Sequence, residues 1–151
     1  MKPPVFIIDT NVVAAGLITS RKESPTAQIL NGMINGSLLF LLSPALLDEY
    51  RQILLRPKLV RLHGLTRPEI GQILTEITTN AIWRDPPADN EHISPDFQDS
   101  HLWALLASET SAVLLTGDQL LIEKPRPRRS VISPAAWLAH FGGRPPDPDG
   151  T

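Results

Sequence analysis

The sequence contains no cysteine, which excludes disulfides and thiolate metal sites. It has no glycine-rich phosphate loop, which argues against a P-loop or dinucleotide enzyme. No apolar run approaches the roughly 20 residues that a membrane span requires. The predicted first strand follows the N-terminal residues directly, so no signal peptide is expected. A cytoplasmic location without membrane contact is therefore the expectation.

Histidine pairs at metal-binding spacing are also missing, and the chain has no excess of basic residues. The four histidines are interpreted as non-catalytic: His63, His92, His101 and His140. The formal net charge is −2, so the whole molecule does not attract nucleic acid. If the substrate is a polyanion, local basic patches or metal ions must offset this charge.

Short apolar runs recur along the chain and predict buried strands. The runs lie at 5–8, 38–42, 81–83, 112–115 and 131–132. Helical patterns separate these runs, and such alternation is typical of the α/β class. With 151 residues, 42% of them hydrophobic, the chain predicts one domain with a substantial core. The expected fold is a three-layer α/β/α sandwich with a mostly parallel sheet over residues 1–141, followed by a disordered tail at 142–151.

Helix starts carry clear local signals. Three of the four serine–proline pairs, those at 24–25, 43–44 and 133–134, place an N-cap residue before a proline at the first helical position. Thr66 and Glu69 have capping-box spacing. The segment between Pro57 and Thr66 is interpreted as a polar loop. The apolar stripes at 29–34 and 70–77 could serve either the core or an interface with a partner.

Four acidic residues fall at one predicted edge of the sheet. Asp9 follows the first strand, and Asp118 follows the fourth. Glu49 lies in the second turn of the helix after the second strand, on the flank of its apolar face, whereas Asp48 points to solvent. Asp99 lies in the first turn of its helix. Because parallel strands end at a common edge, we expect these acids to lie close together.

Clustered carboxylates repel one another and require cations to remain ionised. Ligands that are all oxygen suit Mg²⁺ or Mn²⁺, which can assist hydrolysis of phosphodiesters. Each acid also has a purely structural interpretation. Asp9 and Asp118 could cap turns, Asp99 could stabilise a helix N-terminus, and Glu49 could be a solvated helix residue.

The ordered set of motifs resembles the PIN-domain ribonucleases over roughly residues 4–141. It is most similar to the bacterial group assigned as toxins of toxin–antitoxin systems. The resemblance is carried by the following segments: Asp9-Thr10-Asn11 after a strand, Glu49 in a helix led by Ser-Pro, Asp99 before an apolar helix, and Thr116-Gly117-Asp118 after a strand.

The resemblance implies a compact α/β/α sandwich and a metal-dependent endoribonuclease that uses Mg²⁺ or Mn²⁺. It assigns the catalytic and metal-binding roles to four acids: Asp9, Glu49, Asp99 and Asp118. Asn11 and Thr116 are expected to orient carboxylates or water by hydrogen bonds, without contacting the metal themselves. The implied partners are an RNA substrate, an antitoxin protein and further copies of the chain, as a homodimer or a higher homo-oligomer.

One departure from the family pattern concerns the third helix. Many relatives have two adjacent acids just before it, whereas this chain has Gln98-Asp99. Asp96 is therefore a reserve candidate for the metal site, and the number of metal ions stays open.

Two other functions are weighed against the nuclease. The chain could be a PIN-like binding module, docked to an antitoxin or dimeric, with weak or lost nuclease activity. A phosphatase of the haloacid dehalogenase type also opens with a strand and an aspartate. That motif requires a second aspartate two residues later, where this chain has Asn11.

Overall fold

The computed structural model describes residues 4–87, 100–123 and 131–142. Within these ranges the chain forms one five-stranded sheet flanked by helices. The strands are β1 (Val5–Ile8), β2 (Phe40–Leu42), β3 (Ile82–Trp83), β4 (Ala112–Leu115) and β5 (Val131–Ile132). The helices are α1 (Thr10–Ile18), α2 (Pro25–Asn35), α3 (Pro44–Leu54), α4 (Pro57–His63), α5 (Arg67–Asn80), α6 (Ser100–Ser108), α7 (Gln119–Glu123) and α8 (Pro134–His140).

The sheet has the order β3-β2-β1-β4-β5, and all four neighbouring pairs are parallel. The predicted α/β class and α/β/α sandwich are therefore confirmed. β1 is the central strand, with Ile7 opposite Leu41 of β2 on one side and Leu114 of β4 on the other. A central strand covered on both faces must be apolar throughout, which explains why Ile7 and Ile8 are fully buried.

The predicted helix starts are confirmed. The hydroxyl oxygens of Ser24, Ser43 and Ser133 accept bonds from the backbone N–H three residues later, at 3.3, 3.1 and 3.1 Å. Thr66 and Glu69 form the complete capping box. Ser43 is itself buried and follows β2 directly, so its cap sets where α3 begins.

Two expectations for chain segments were wrong. The predicted polar loop after Pro57 is the helix α4, which begins with that proline and ends at Gly64 in the left-handed conformation. α4 has seven residues and no fully buried side chain, so it shows too little apolar periodicity to be recognised from sequence. β2 is shorter than its apolar run and begins at Phe40, because Leu38 still bonds to Gly32 O at the end of α2.

The apolar stripes of α2 and α5 belong to the core. Ile29 and Met33 of α2 are fully buried. In α5, Ile77 is fully buried and Ile70 is 1% exposed. Their partly buried neighbours also pack against the core. Both stripes therefore contribute to the core.

No helix in the described ranges is long and apolar enough to cross a bilayer. The predicted tail, apart from Gly142, lies outside the described residues.

We expect Gly16→Ala to destabilise the fold, because an added Cβ would lie 2.8 Å from Thr26 O and 3.0 Å from Leu30 Cβ. Relieving this overlap requires α1 and α2 to separate, at about 1–3 kcal/mol. Gly71→Ala in α5 is the control, since nothing lies within 4 Å of its added Cβ. Alanine should there stabilise by about 0.5–1 kcal/mol. Urea unfolding measures both, and equal effects of the two substitutions would contradict the close approach of the helices.

Candidate active site

Asp9 stands at the carboxyl end of the central strand and is only 7% exposed. Its Oδ1 accepts from the backbone N–H of Thr10 at 2.8 Å, which makes it the N-cap of α1. Its Oδ2 accepts from Thr116 Oγ1 at 2.7 Å and from Asn11 Nδ2 at 3.3 Å. The carboxylate is thus held on both oxygens, and the turn-cap interpretation of Asp9 applies together with its place at the site.

The environment of Asp9 disfavours its negative charge. Burial is the largest cause that raises the pKa of its carboxyl above the ordinary value. The hydrogen bond from Thr116 opposes this shift, and the nearby charge of Glu49 adds to it. A buried carboxylate beside a second one is an arrangement that a bound cation would stabilise.

Glu49 approaches the same edge from α3. The Thr10 hydroxyl donates to its Oε2, and His101 Nε2 lies 3.5 Å from its Oε1. The interaction with His101 is the largest cause that lowers the pKa of the Glu49 carboxyl, and Thr10 lowers it further against the effect of burial. Asp48 is exposed and bonds to Gln52 on the same helix, so the predicted difference between the two neighbouring acids is confirmed.

Tyr50 secures the placement of Glu49. Its ring is fully buried, and its hydroxyl donates to Ile8 O at 2.6 Å. Ile8 immediately precedes Asp9 in β1, so this bond ties the second turn of α3 to the end of the central strand. The sequence identified Tyr50 only as a residue of the apolar stripe.

Thr116 and Asn11 join the β1 and β4 ends of the site. Thr116 is fully buried, and its hydroxyl oxygen also accepts from the backbone N–H of Asp118 at 3.0 Å. Asn11 Oδ1 accepts from Gly117 N at 2.9 Å. The predicted orienting residues are therefore in contact with Asp9 and with the turn that carries Asp118.

The structure brings three of the predicted acids to one edge. Asp9 and Glu49 are bridged by Thr10, and Asp118 is connected to Asp9 through Thr116. The Asp118 carboxylate accepts from Leu120 N at 3.0 Å and so caps α7. The remaining candidates, Asp96 and Asp99, lie outside the described residues.

Comparison with known proteins gives the family. Residues 5–120, well over half of the chain, match the family model described as PIN domain. The chain belongs to the PIN-domain family. PIN domains are generally nucleases, and this family membership supports the general class of hydrolase for the protein. No curated protein and no solved structure matches the chain.

The residues of this PIN domain suit a divalent cation by their chemistry. Asp9, Glu49 and Asp118 supply only oxygen atoms, which are the ligands that Mg²⁺ and Mn²⁺ prefer. Among the residues that the structure describes, no three histidine, cysteine, aspartate or glutamate side chains are arranged to hold a metal ion. A complete site would thus need a further ligand, and Asp99 is the candidate from the sequence.

Two clefts open beside the acids of the PIN domain. The cleft on the Glu49 side has a volume of about 210 Å³ and is lined by Ser43, Ala45, Asp85, Pro86, Ser100, His101 and Ala104. The cleft on the Asp118 side has a volume of about 280 Å³ and is lined by Asn11, Val12, Ala15, Thr26, Gly117, Asp118 and Pro134. Each cleft adjoins one residue of the site, since His101 lines the first and Asp118 lines the second.

Sequence reasoning missed two side chains at this site, Thr10 and His101. Thr10 lies between Asp9 and Asn11, which are both site candidates, and this position is the sequence signal that indicates Thr10. The histidines lack metal-binding spacing, so spacing alone does not select His101. Its position in the first turn of α6, at the edge where the acids collect, was the signal available.

Proposed function

We propose that this PIN domain is an endoribonuclease that depends on Mg²⁺ or Mn²⁺ and acts as the toxin of a toxin–antitoxin system. The observation that carries the proposal is the Asp9 carboxylate. It is buried at the centre of the carboxyl edge, beside Glu49, in surroundings that raise its pKa. A buried carboxylate whose charge is disfavoured is costly for folding alone and becomes favourable when it binds a cation.

Asp9 and Glu49 would hold the cation, with Asp118 and Asp99 as further ligands. A bound divalent ion supplies an activated water and stabilises the charge that develops on the phosphate during hydrolysis. Thr116 and Asn11 keep the Asp9 carboxylate in one orientation. The clefts on the two sides would accommodate the nucleotides before and after the scissile phosphate.

RNA is the proposed substrate, and a cytoplasmic location belongs to the same proposal. The net charge of −2 provides no general attraction for a polyanion, so cations at the acids would favour phosphate binding. An antitoxin protein and self-association into a homodimer or larger assembly are the partners proposed for a toxin. Co-expression with the product of the neighbouring gene, followed by size-exclusion chromatography, tests both partners.

The first test is cleavage of a mixed RNA pool with Mn²⁺, with Mg²⁺ or with a chelator. We expect cleavage with the metals and none with the chelator, because chelation removes the ions that the carboxylates require. Single-stranded DNA of matched sequence separates a ribonuclease from a less selective nuclease. If well-folded protein leaves RNA intact with both metals, the proposed activity is wrong.

A further inference from the structure

We propose that Thr10 and His101 are positioning residues that hold the Glu49 carboxylate by its two oxygens and direct it toward the bound cation. We call this pair the Glu49 clamp. The inference rests on the proposed function, because it assigns a purpose to Glu49 as a ligand. The clamp joins three elements, since Thr10 begins α1, Glu49 lies on α3 and His101 lies on α6.

Thr10 contacts both acids of the site. Its backbone N–H donates to Asp9 Oδ1 at 2.8 Å, and its hydroxyl donates to Glu49 Oε2. The residue is 3% exposed and directly follows the central strand, so its position is determined by the core. Thr10 therefore fixes where Glu49 lies relative to Asp9, although the two acids are 40 residues apart in the chain.

His101 supports the other oxygen of Glu49. Its Nε2 lies 3.5 Å from Glu49 Oε1, and with a proton on Nε2 the imidazole donates to the carboxylate. The Nδ1 atom is buried and has no hydrogen-bond partner in the described part of the chain. A buried nitrogen without a partner is unfavourable for folding and therefore requires an explanation. The contact that Nε2 makes with Glu49 offsets this cost and gives a reason for the ring to be held here.

The two donors leave Glu49 with a defined free side. A carboxylate has about four lone-pair sites, and the clamp occupies one on each oxygen. Without these donors, a partly exposed glutamate would rotate among its side-chain conformers and would have to be ordered again on metal binding. Partners that orient ligands in this way typically change metal affinity by about 10- to 100-fold when they are removed.

The experiment compares Mn²⁺ affinity, from the electron paramagnetic resonance signal of free Mn²⁺, in wild type and three variants. Thr10→Val removes the hydroxyl and keeps the shape, whereas Thr10→Ser keeps the hydroxyl and is the matched control. His101→Phe removes both ring nitrogens. We expect Thr10→Val and His101→Phe to bind Mn²⁺ about 10- to 100-fold more weakly, and Thr10→Ser to stay within about threefold of wild type.

Thermal unfolding in chelator separates positioning from a structural role. His101→Phe should unfold at a temperature close to that of wild type, because removal of the buried unpaired Nδ1 offsets the loss of the Glu49 contact. Weaker Mn²⁺ binding without lower stability supports the clamp. Unchanged Mn²⁺ affinity in Thr10→Val or in His101→Phe overturns the role of that residue. If wild type itself does not bind Mn²⁺, the proposed function fails, and this result is distinct from a failure of the clamp alone.

Discussion

Asp9→Asn is expected to reduce RNA cleavage by at least about a hundredfold, because residues that only orient metal ligands already contribute about 10- to 100-fold. Asn keeps the size of the side chain and one oxygen acceptor, but it removes the charge that would bind the cation. Initial rates of cleavage with Mn²⁺ measure the effect. A variant that cleaves as fast as wild type would falsify the assignment of Asp9.

The same substitution should leave the fold intact. Burial of the charged carboxylate is the largest contribution to the raised pKa of Asp9, so a neutral side chain removes a destabilising charge. Because the folded-state pKa is raised, wild type loses the corresponding stability as pH rises through that value, and Asp9→Asn does not. Asn offers one oxygen where Asp9 accepts hydrogen bonds on both, so one lost bond offsets this gain. In chelator at neutral pH, the variant should therefore unfold at a temperature close to that of wild type.

Adding Mn²⁺ should stabilise wild type more than Asp9→Asn. At a Mn²⁺ concentration of 100 times Kd, wild type should gain about 2.7 kcal/mol in free energy of unfolding, whereas Asp9→Asn should gain far less. Asp48→Asn is the matched control, since Asp48 is an exposed acid on α3 that bonds only to Gln52 among the described residues. Its cleavage rate and its response to Mn²⁺ should both equal those of wild type.

Thr116→Val is expected to lower both stability and activity. Its hydroxyl is fully buried, donates to Asp9 Oδ2 at 2.7 Å and accepts from Asp118 N at 3.0 Å. Valine has the same shape but leaves these buried groups without this partner, which should cost about 1–3 kcal/mol. Cleavage should fall by about 10- to 100-fold, because Asp9 loses the group that orients it. Chemical denaturation and cleavage rates measure the two effects.

Thr116→Ser is the control for this site, since it keeps the hydroxyl and removes only a methyl group. It should retain most of the activity and lose stability by the smaller amount expected for one buried methyl, about 1 kcal/mol. If Thr116→Val and Thr116→Ser cleave at the same rate, the hydroxyl does not orient Asp9, and its contacts serve the fold alone.

Local sequence signals were sufficient for most of the fold. The apolar run at β1 and the Ser-Pro caps depend only on neighbouring residues, and both appear in the structure as expected. The convergence of Asp9, Glu49 and Asp118 also followed, because strands of a parallel sheet must end at one edge. α4 was missed because a helix of two turns with no buried residue has no strong apolar periodicity.

The contacts within the site could not be predicted in the same way. Thr116 lies 107 residues from Asp9, and Thr10 lies 39 residues from Glu49. The separation of Glu49 from His101 lies between these two values, and no local pattern encodes their contact. The sequence by itself determined the α/β class, the helix caps and the edge at which the acids collect, since these depend on local periodicity and on the rule for parallel strands. Only the tertiary structure decided which donors hold Asp9 and Glu49, because such contacts depend on how α3, α6 and β4 pack around the end of β1.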